Sequence, residues 1–381
     1  MTILLLLLTL FLLFLAYERV VLNKLRSSIP MVIAVTGTRG KSSTVRMLAS
    51  VLRESGRRVL AKTTGSQAQL LFPDGSIQDI PRRGIVSILE QKKILNSAAE
   101  LKVECVVVEI MSIRPENHIV ESQQILKPDI VVLTNVRRDH IEAMGETEAE
   151  IASVFQKDLP PGSSVYVPEE YVPLLVSSRA GMETIRFIPV KRQITQQSPT
   201  DFSENLDLVA AVSKGLGVAN KTVARGIQNS RHDIGKLRIW KHKVSDRSVF
   251  LVNAFAANDP DSTMMIYNKV AQALSAPPSS FSGLLNLRHD RADRTIQWIE
   301  ALNGEASSHF KNIYAIGGHS HVLQRKTQSV TVLLRTDAKG LTDSVIAKMG
   351  DGDILFGFGN IGGLGHELVE HWQHVGEEYG I

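Results

Sequence analysis

The chain has 381 residues, 43% hydrophobic and 22% charged, a balance typical of a folded globular protein and a length that usually needs two soluble domains. Its 43 basic against 39 acidic residues leave a formal net charge of +4, and without a basic tail, zinc-finger spacing or aromatic-rich single-strand motif this argues against a nucleic-acid binder. The single cysteine, Cys105, excludes an intrachain disulfide framework and a Cys-rich metal site, and its apolar setting marks it as a small buried hydrophobe.

Residues 1–17, MTILLLLLTLFLLFLAY, carry no charged side chain. A membrane helix needs about 17–25 apolar residues, so this run is short but adequate with a slight tilt. A cleaved signal peptide would have a basic start and small residues before the cut, and neither is present. Residues 1–22 are therefore expected to form an uncleaved anchor. Arg19, Lys24 and Arg26 follow the run and no basic side chain precedes it, which predicts a single pass with the rest of the chain on the cytoplasmic side of the cell membrane.

Pro30 closes the juxtamembrane stretch, and Met31 to Val35 reads as a buried strand. A Gly-rich turn follows, then a helix with Val45, Leu48, Ala49 and Leu52 on one face and Gly56 as its terminator. Val59 to Ala61 begins a second strand, and Pro73-Asp74-Gly75 is a hairpin tip. A helix is predicted over 85–99. Further strands are predicted at Val103 to Ile110 and Asp129 to Leu133, with weaker ones at Val165 to Val167 and Ile185 to Ile188. Residues 189–204 read as loop, Asn205 as the cap of a helix through Lys214, and Lys236 to Val244 as an edge strand. The α/β rhythm then restarts, with strands at Val249 to Asn253, Leu284 to Leu287, Ile313 to Ile316, Val330 to Leu334 and Ile354 to Phe358. The organisation predicted is an anchor (1–22), a doubly wound α/β central domain (30–240) and a second, Rossmann-like α/β domain (245–381).

Three segments carry chemistry. In Thr36-Gly37-Thr38-Arg39-Gly40-Lys41-Ser42-Ser43, between a strand and a helix, glycines let the backbone curl around an anion. The amides from Thr38 to Ser43 and the helix N-terminus would face phosphate oxygens, Lys41 would reach the outer phosphates, and Ser42 would ligate Mg2+. The loop is shorter than the GxxxxGK[ST] pattern, and the plain reading is a Gly-rich turn at a helix cap. Mg2+ favours oxygen ligands, and Glu109, at the end of the strand Val106 to Val108, is a candidate second donor or a solvated strand end. His140, in Thr134-Asn135-Val136-Arg137-Arg138-Asp139-His140 after the next strand, is a ligand, a phosphate contact or a loop histidine; Asp139 orients it or caps a turn.

These segments resemble the Mur ligase and folylpolyglutamate synthase superfamily, and more closely its poly-gamma-glutamate synthase branch of the PgsB/CapB type. Lys62-Thr63-Thr64-Gly65, Val106 to Ser112 and Thr134 to His140 look like the family's segments after its second strand and at its metal sites. Gly235-Lys236-Leu237-Arg238 looks like the segment whose arginine reaches ATP. Asn253 to Ser262 looks like the one with an Asn-Asp pair, here Asn258 and Asp259. Asn286 to Thr295 matches a region special to the polyglutamate branch, and Phe358 to Gly363 its terminal glycine segment. The resemblance spans essentially the whole chain.

What it implies is a P-loop Mur-ligase-like central domain with a C-terminal Rossmann-like α/β domain, preceded by one transmembrane helix. ATP and Mg2+ would be the cofactors, with Lys41, Glu109 and His140 catalytic and Ser42, Glu109 and His140 on metal. Arg238, Asn258 and Asp259 would contact nucleotide. Many Mur ligases use a carbamylated lysine after the histidine; Lys157 is the nearest lysine here and no motif assigns it that role. The reaction implied is activation of a carboxylate as an acyl phosphate and its attack by an amine, polymerising glutamate into poly-gamma-glutamate for a capsule. Glutamate and the growing polymer, a small multi-pass membrane subunit and other synthase components are the implied partners, with a homo-oligomer open and no nucleic acid. Arg114, Arg137, Arg138, Arg288, Arg291 and Arg294 are candidates for holding the polymer's carboxylates. The alternatives are a related folate or cell-wall-precursor ligase and, in another class, a membrane-tethered NTPase or binding subunit.

Overall fold

A computed structural model describes residues 2–65, 68–81, 87–138, 141–176, 184–192, 203–230, 235–334 and 337–380. The chain divides into two compact units, one comprising Met1–Thr195 and Phe202–His232, the other built on Asp233–Ile381.

Helix α1 (Thr2–Ser27) is, among the described residues, the one helix long and apolar enough to cross a membrane. It runs past the 1–22 segment read from the sequence, because its last turns find partners on the first unit. Glu18 pairs with Lys92 at 2.5 Å, Arg19 donates to the Gln124 carbonyl at 3.2 Å, and Leu22 is buried.

The first unit is an eight-stranded sheet among the described residues, in the order β4-β3-β2-β5-β1-β6-β7-β8. Its strands are β1 (Met31–Thr36), β2 (Val59–Thr63), β3 (Gln69–Leu71), β4 (Ile77–Asp79), β5 (Cys105–Glu109), β6 (Ile130–Leu133), β7 (Ser164–Pro168) and β8 (Arg186–Val190). Central β1 is parallel to both neighbours and buried on both faces, as its continuous β-branched run requires. Ile33 and Val35 point to one side, where Val45, Leu48 and Leu52 of α2 (Lys41–Glu54) cover them. Val32 and Ala34 point to the other, against Ile94 and Leu95 of α3 (Glu90–Glu100) and Leu22 of α1. Each such aliphatic side chain contributes roughly 1.5–3 kcal/mol by leaving water. Cys105 belongs to this core, and burial pushes its thiol pKa up to about 12.

Several elements depart from the sequence reading. Helix α3 starts at Glu90 rather than 85; residues 87–89 form a turn, and 85–86 lie outside the described residues. Asn205 stands inside the helix Ser203–Gly215 rather than at its cap. Residues 119–126 form a π-helix that no sequence pattern announced.

The second unit carries a seven-stranded sheet among the described residues, ordered β13-β12-β11-β14-β10-β9-β15. Its strands are β9 (Arg238–Val244), β10 (Arg247–Asn253), β11 (Phe281–Leu287), β12 (Asn312–Gly317), β13 (Val330–Val332), β14 (Ile354–Phe358) and β15 (Glu377–Glu378). β9 pairs antiparallel with β10, as its single hairpin connection permits, and is not the edge, because short β15 adds outside it. β10, β14, β11, β12 and β13 are parallel. On one face Trp298, Phe310, Phe356 and Phe358 pack ring against ring; on the other, Trp372 and Phe255 join Leu251 and Leu355.

Candidate active site

Strand β1 is flanked by β5 and β6, so the loops leaving the carboxyl ends of all three strands emerge side by side, where open α/β sheets take ligands. Register makes this concrete: Val35 lies opposite Glu109, and Thr36 opposite Leu133.

The loop after β1 turns into α2 through Gly40, whose φ of 82° is left-handed and where a Cβ would sit 2.5 Å from Asn205 Nδ2, so any side chain there would have to displace that amide. No side chain caps the start of α2, which leaves its first amides to bind an anion. The loop is braced by the segment after β6. Asn135 accepts from Thr38 N through its carbonyl and from Arg39 N through Oδ1, each at 3.1 Å, and its Nδ2 donates to Arg39 O at 3.1 Å. The Thr38 hydroxyl donates to Arg137 O and accepts from Arg137 N, both at 3.0 Å. Asn135 is fixed by its place at a strand end, and residue type alone gave no sign of this task.

Lys41 folds its Nζ back onto the carbonyls of Gly37 (2.6 Å) and Thr38 (3.3 Å). Burial holds its pKa below the usual lysine value, Glu109 opposes that shift, and Arg39 adds to it. Ser42 Oγ donates to Glu109 Oε2 at 2.8 Å. The same oxygen accepts from Thr64 N at 2.7 Å and Gly65 N at 3.3 Å, so the segment after β2 closes the site. A Cβ on Gly65 would stand 2.6 Å from Ser42 Oγ, which explains the glycine there.

Two hard oxygen donors in contact, beside an uncapped helix start, fit a Mg2+-type ion that takes its other ligands from phosphate and water. Among the described residues no three His, Cys, Asp or Glu side chains cluster as a metal site. Asp139 and His140 lie outside the described residues. Ser43 is in the first turn of α2. Lys157 lies in the short 3-10 turn Gln156–Asp158, its carbonyl accepting from Gln123 Nε2 at 2.8 Å.

Beneath the loop lies a buried network that sequence reasoning did not find. Thr36 Oγ1 donates to Asp158 Oδ2 at 2.5 Å, and Asp158 Oδ1 pairs with His118 Nδ1 at 2.9 Å. These residues come from three distant segments, so no local motif links them.

The second unit carries the remaining candidates. Asp259 caps the helix Pro260–Leu274 by accepting from Ser262 N at 2.8 Å, with Asn258 just before it. Arg238 begins β9 and donates to Gln373 Oε1 at 3.4 Å. A small recess is lined by Asn258, Asn286, Arg288, Arg291, Arg294 and Trp298 among others. Arg288 is held by Asp290 at 2.8 and 2.5 Å, Arg291 by Asp293 at 3.2 Å, and Arg294, only 5% exposed, donates to Gln297 at 2.8 Å. Arg114 and Arg138 stand exposed in the first unit.

Residues 35–157 match the Mur ligase middle domain, and residues 239–375 match the poly-gamma-glutamate synthase CapB C-terminal domain. The chain is 30% identical over 289 residues to the capsule biosynthesis protein CapB of Bacillus anthracis, covering 72% of this chain and 61%, less than two thirds, of that protein. It is 29% identical over 367 residues to the PGA synthase CapB of Bacillus subtilis, covering 90% of each. Among solved structures, it is similar in fold to the bifunctional folylpolyglutamate synthase/dihydrofolate synthase of Yersinia pestis CO92 complexed with AMPPNP and Mn. There the TM-score is 0.69 and the identity 15%, over 93% of this chain and 92% of the other.

Proposed function

The chain belongs to the CapB-type poly-gamma-glutamate synthase branch of the Mur ligase superfamily, and on that premise we propose that it is an ATP-dependent amide ligase that joins glutamate into a gamma-linked polymer. The observation that carries the mechanism is the Ser42–Glu109 contact beside the uncapped start of α2.

A carboxylate cannot expel its own oxygen, so the γ-carboxylate of glutamate or of the polymer end first takes the terminal phosphoryl group of ATP. The amine of the next glutamate then attacks the acyl phosphate, a tetrahedral carbon forms, and phosphate leaves as the amide closes. The first amides of α2 hold phosphate oxygens, and Lys41 swings from the loop carbonyls to the transferring group. Ser42, Glu109 and His140 would hold Mg2+, which would supply charge neutralisation for phosphoryl transfer. Thr38, Arg39, Gly40 and Ser43 shape the phosphate cradle; Arg238, Asn258 and Asp259 contact the nucleotide. Lys41, Glu109 and His140 are the catalytic set. Arg288, Arg291 and Arg294 are the candidates for holding glutamate carboxylates, with Arg288 and Arg291 exchanging Asp290 and Asp293 for the substrate.

Helix α1 holds the enzyme in the cell membrane with both units on the cytoplasmic side, where ATP is present and where a multi-pass membrane subunit can take the product.

The test is product analysis in membranes containing this chain and its partner subunits. ATP and Mg2+ should yield a gamma-linked glutamate polymer with ADP and phosphate. Nucleotide hydrolysis without any amide product, or turnover only with a folate or a nucleotide-linked peptide, would overturn the proposal.

A further inference from the structure

The segment that follows Glu109 is gripped by a second carboxylate that the proposed chemistry does not use. Glu121 is fully buried and sits in the first turn of the π-helix Ile119–Leu126. It accepts from Met111 N at 3.0 and 3.2 Å, Ser112 N at 2.9 Å, Ser112 Oγ at 2.5 Å and Gln91 Nε2 at 2.7 Å. The same Gln91 nitrogen donates to the Glu109 carbonyl at 3.1 Å, and Gln91 is itself fully buried. Glu121 therefore holds the backbone two and three residues beyond Glu109 directly, and Glu109 itself through one side chain.

Among the described residues no cationic side chain pairs with Glu121. A carboxylate buried without a cation is unfavourable unless its hydrogen bonds are met, and here they are met by the strand end it positions. Its element is unusual too. A π-helical stretch is rare and tends to mark functional sites, because the widened turn displaces side chains from α-helical register. This one is fixed at its far end by Arg26, which donates to the carbonyls of Leu126 and Lys127.

We propose that Glu121 is a positioning residue for the divalent-ion site, holding Met111 and Ser112 directly and the Glu109 carbonyl through Gln91 so that the Glu109 carboxylate stays in place beside Ser42. The inference rests on Glu109 being the metal carboxylate of the proposed function. Glutamine at position 121 keeps the size of the side chain but turns one of two accepting oxygens into a donor, so either Ser112 or Gln91 Nε2 loses its acceptor.

The test is Mn2+ binding to the detergent-solubilised full chain with a non-hydrolysable ATP analogue, read by the electron paramagnetic resonance of free Mn2+. Groups that orient metal ligands typically change metal affinity about 10–100-fold. Glu121→Gln should weaken Mn2+ binding at least about tenfold, and Ser112→Ala, which removes one of the bonds, by a few-fold, with nucleotide affinity in the absence of metal unchanged. A folded variant of either kind that binds Mn2+ as tightly as the parent would overturn the proposal. Glu109→Gln is the separate control: if it leaves Mn2+ binding intact, the assignment of Glu109 fails instead.

Discussion

Ser42 Oγ donates to Glu109 Oε2 at 2.8 Å, tying the first turn of α2 to the end of β5 across 67 residues of sequence. On the proposal that they hold one ion between them, the two act as a unit and their losses should not add. Ser42→Ala and Glu109→Gln are each expected to lower glutamate-dependent ADP formation by about 100-fold or more, the scale on which electrostatic stabilisation of a transition state operates. The double variant should be no slower than the worse single one. Initial rates across a Mg2+ titration check this; additive losses would show that the two side chains serve separate steps.

Gly40 makes a backbone prediction. Alanine there must adopt a φ of 82° and place its Cβ 2.5 Å from Asn205 Nδ2. The left-handed conformation alone costs about 1–2 kcal/mol for a residue with a Cβ. Gly40→Ala should therefore lower the melting temperature by several degrees and weaken ATP binding. Adding Asn205→Ala should relieve the crowding but leave the conformational cost, so calorimetry should show partial recovery. Full recovery would mean that the φ value imposes nothing.

Much of the first unit was legible because its signals are local. The run Met31 to Val35 is apolar on both faces, the glycines of the turn follow directly, and Val45, Leu48, Ala49 and Leu52 recur at helical spacing; all four are buried. Glu109 was found for the same reason, as a charged residue ending an apolar strand. What escaped the sequence is non-local. Asn135 and Gly65 stand in segments marked by resemblance, but their contacts arise only because β6 and β2 bring their loops to the one after β1. Glu121 looks like any helical glutamate until the π-helix turns it under Met111. Asn205 was read as a cap from its residue type, whereas its amide fills the space beside Gly40.

Lys41 makes nucleotide binding depend on pH. Burial lowers its pKa in the free protein, so the neutral form gains ground below the usual lysine range. Phosphate oxygens favour the charged form, so binding takes up a proton where pH lies between the lowered value and the higher one in the complex. ATP affinity should fall as pH rises through that window, while the free fold, which binds fewer protons there than the unfolded chain, should gain stability. Titration calorimetry in buffers of different ionisation enthalpy should detect the uptake, and Lys41→Arg, always charged, should abolish it. Binding without proton exchange at alkaline pH would contradict the buried setting of Lys41.

Arg26 joins α1 to the rest of the first unit. Its guanidinium donates to the carbonyls of Ile29, Leu126 and Lys127 and to Asp129 Oδ2, and the pair with Asp129 closes at 2.7 Å. Lys127, in a left-handed conformation, ends the π-helix there, so Arg26 satisfies carbonyls that a helix end leaves without partners. Asp129 in turn accepts from Val32 N at 2.7 Å, which fixes the start of β1. Removing the arginine strands these acceptors, at about 1–3 kcal/mol for a buried group left unmet. Arg26→Ala should therefore raise hydrogen exchange over residues 18–30 and in the π-helix together, well before global unfolding. Exchange confined to the helix end, with the π-helix as protected as in the parent, would show that α1 hangs from the first unit as a loose tether rather than as part of its fold.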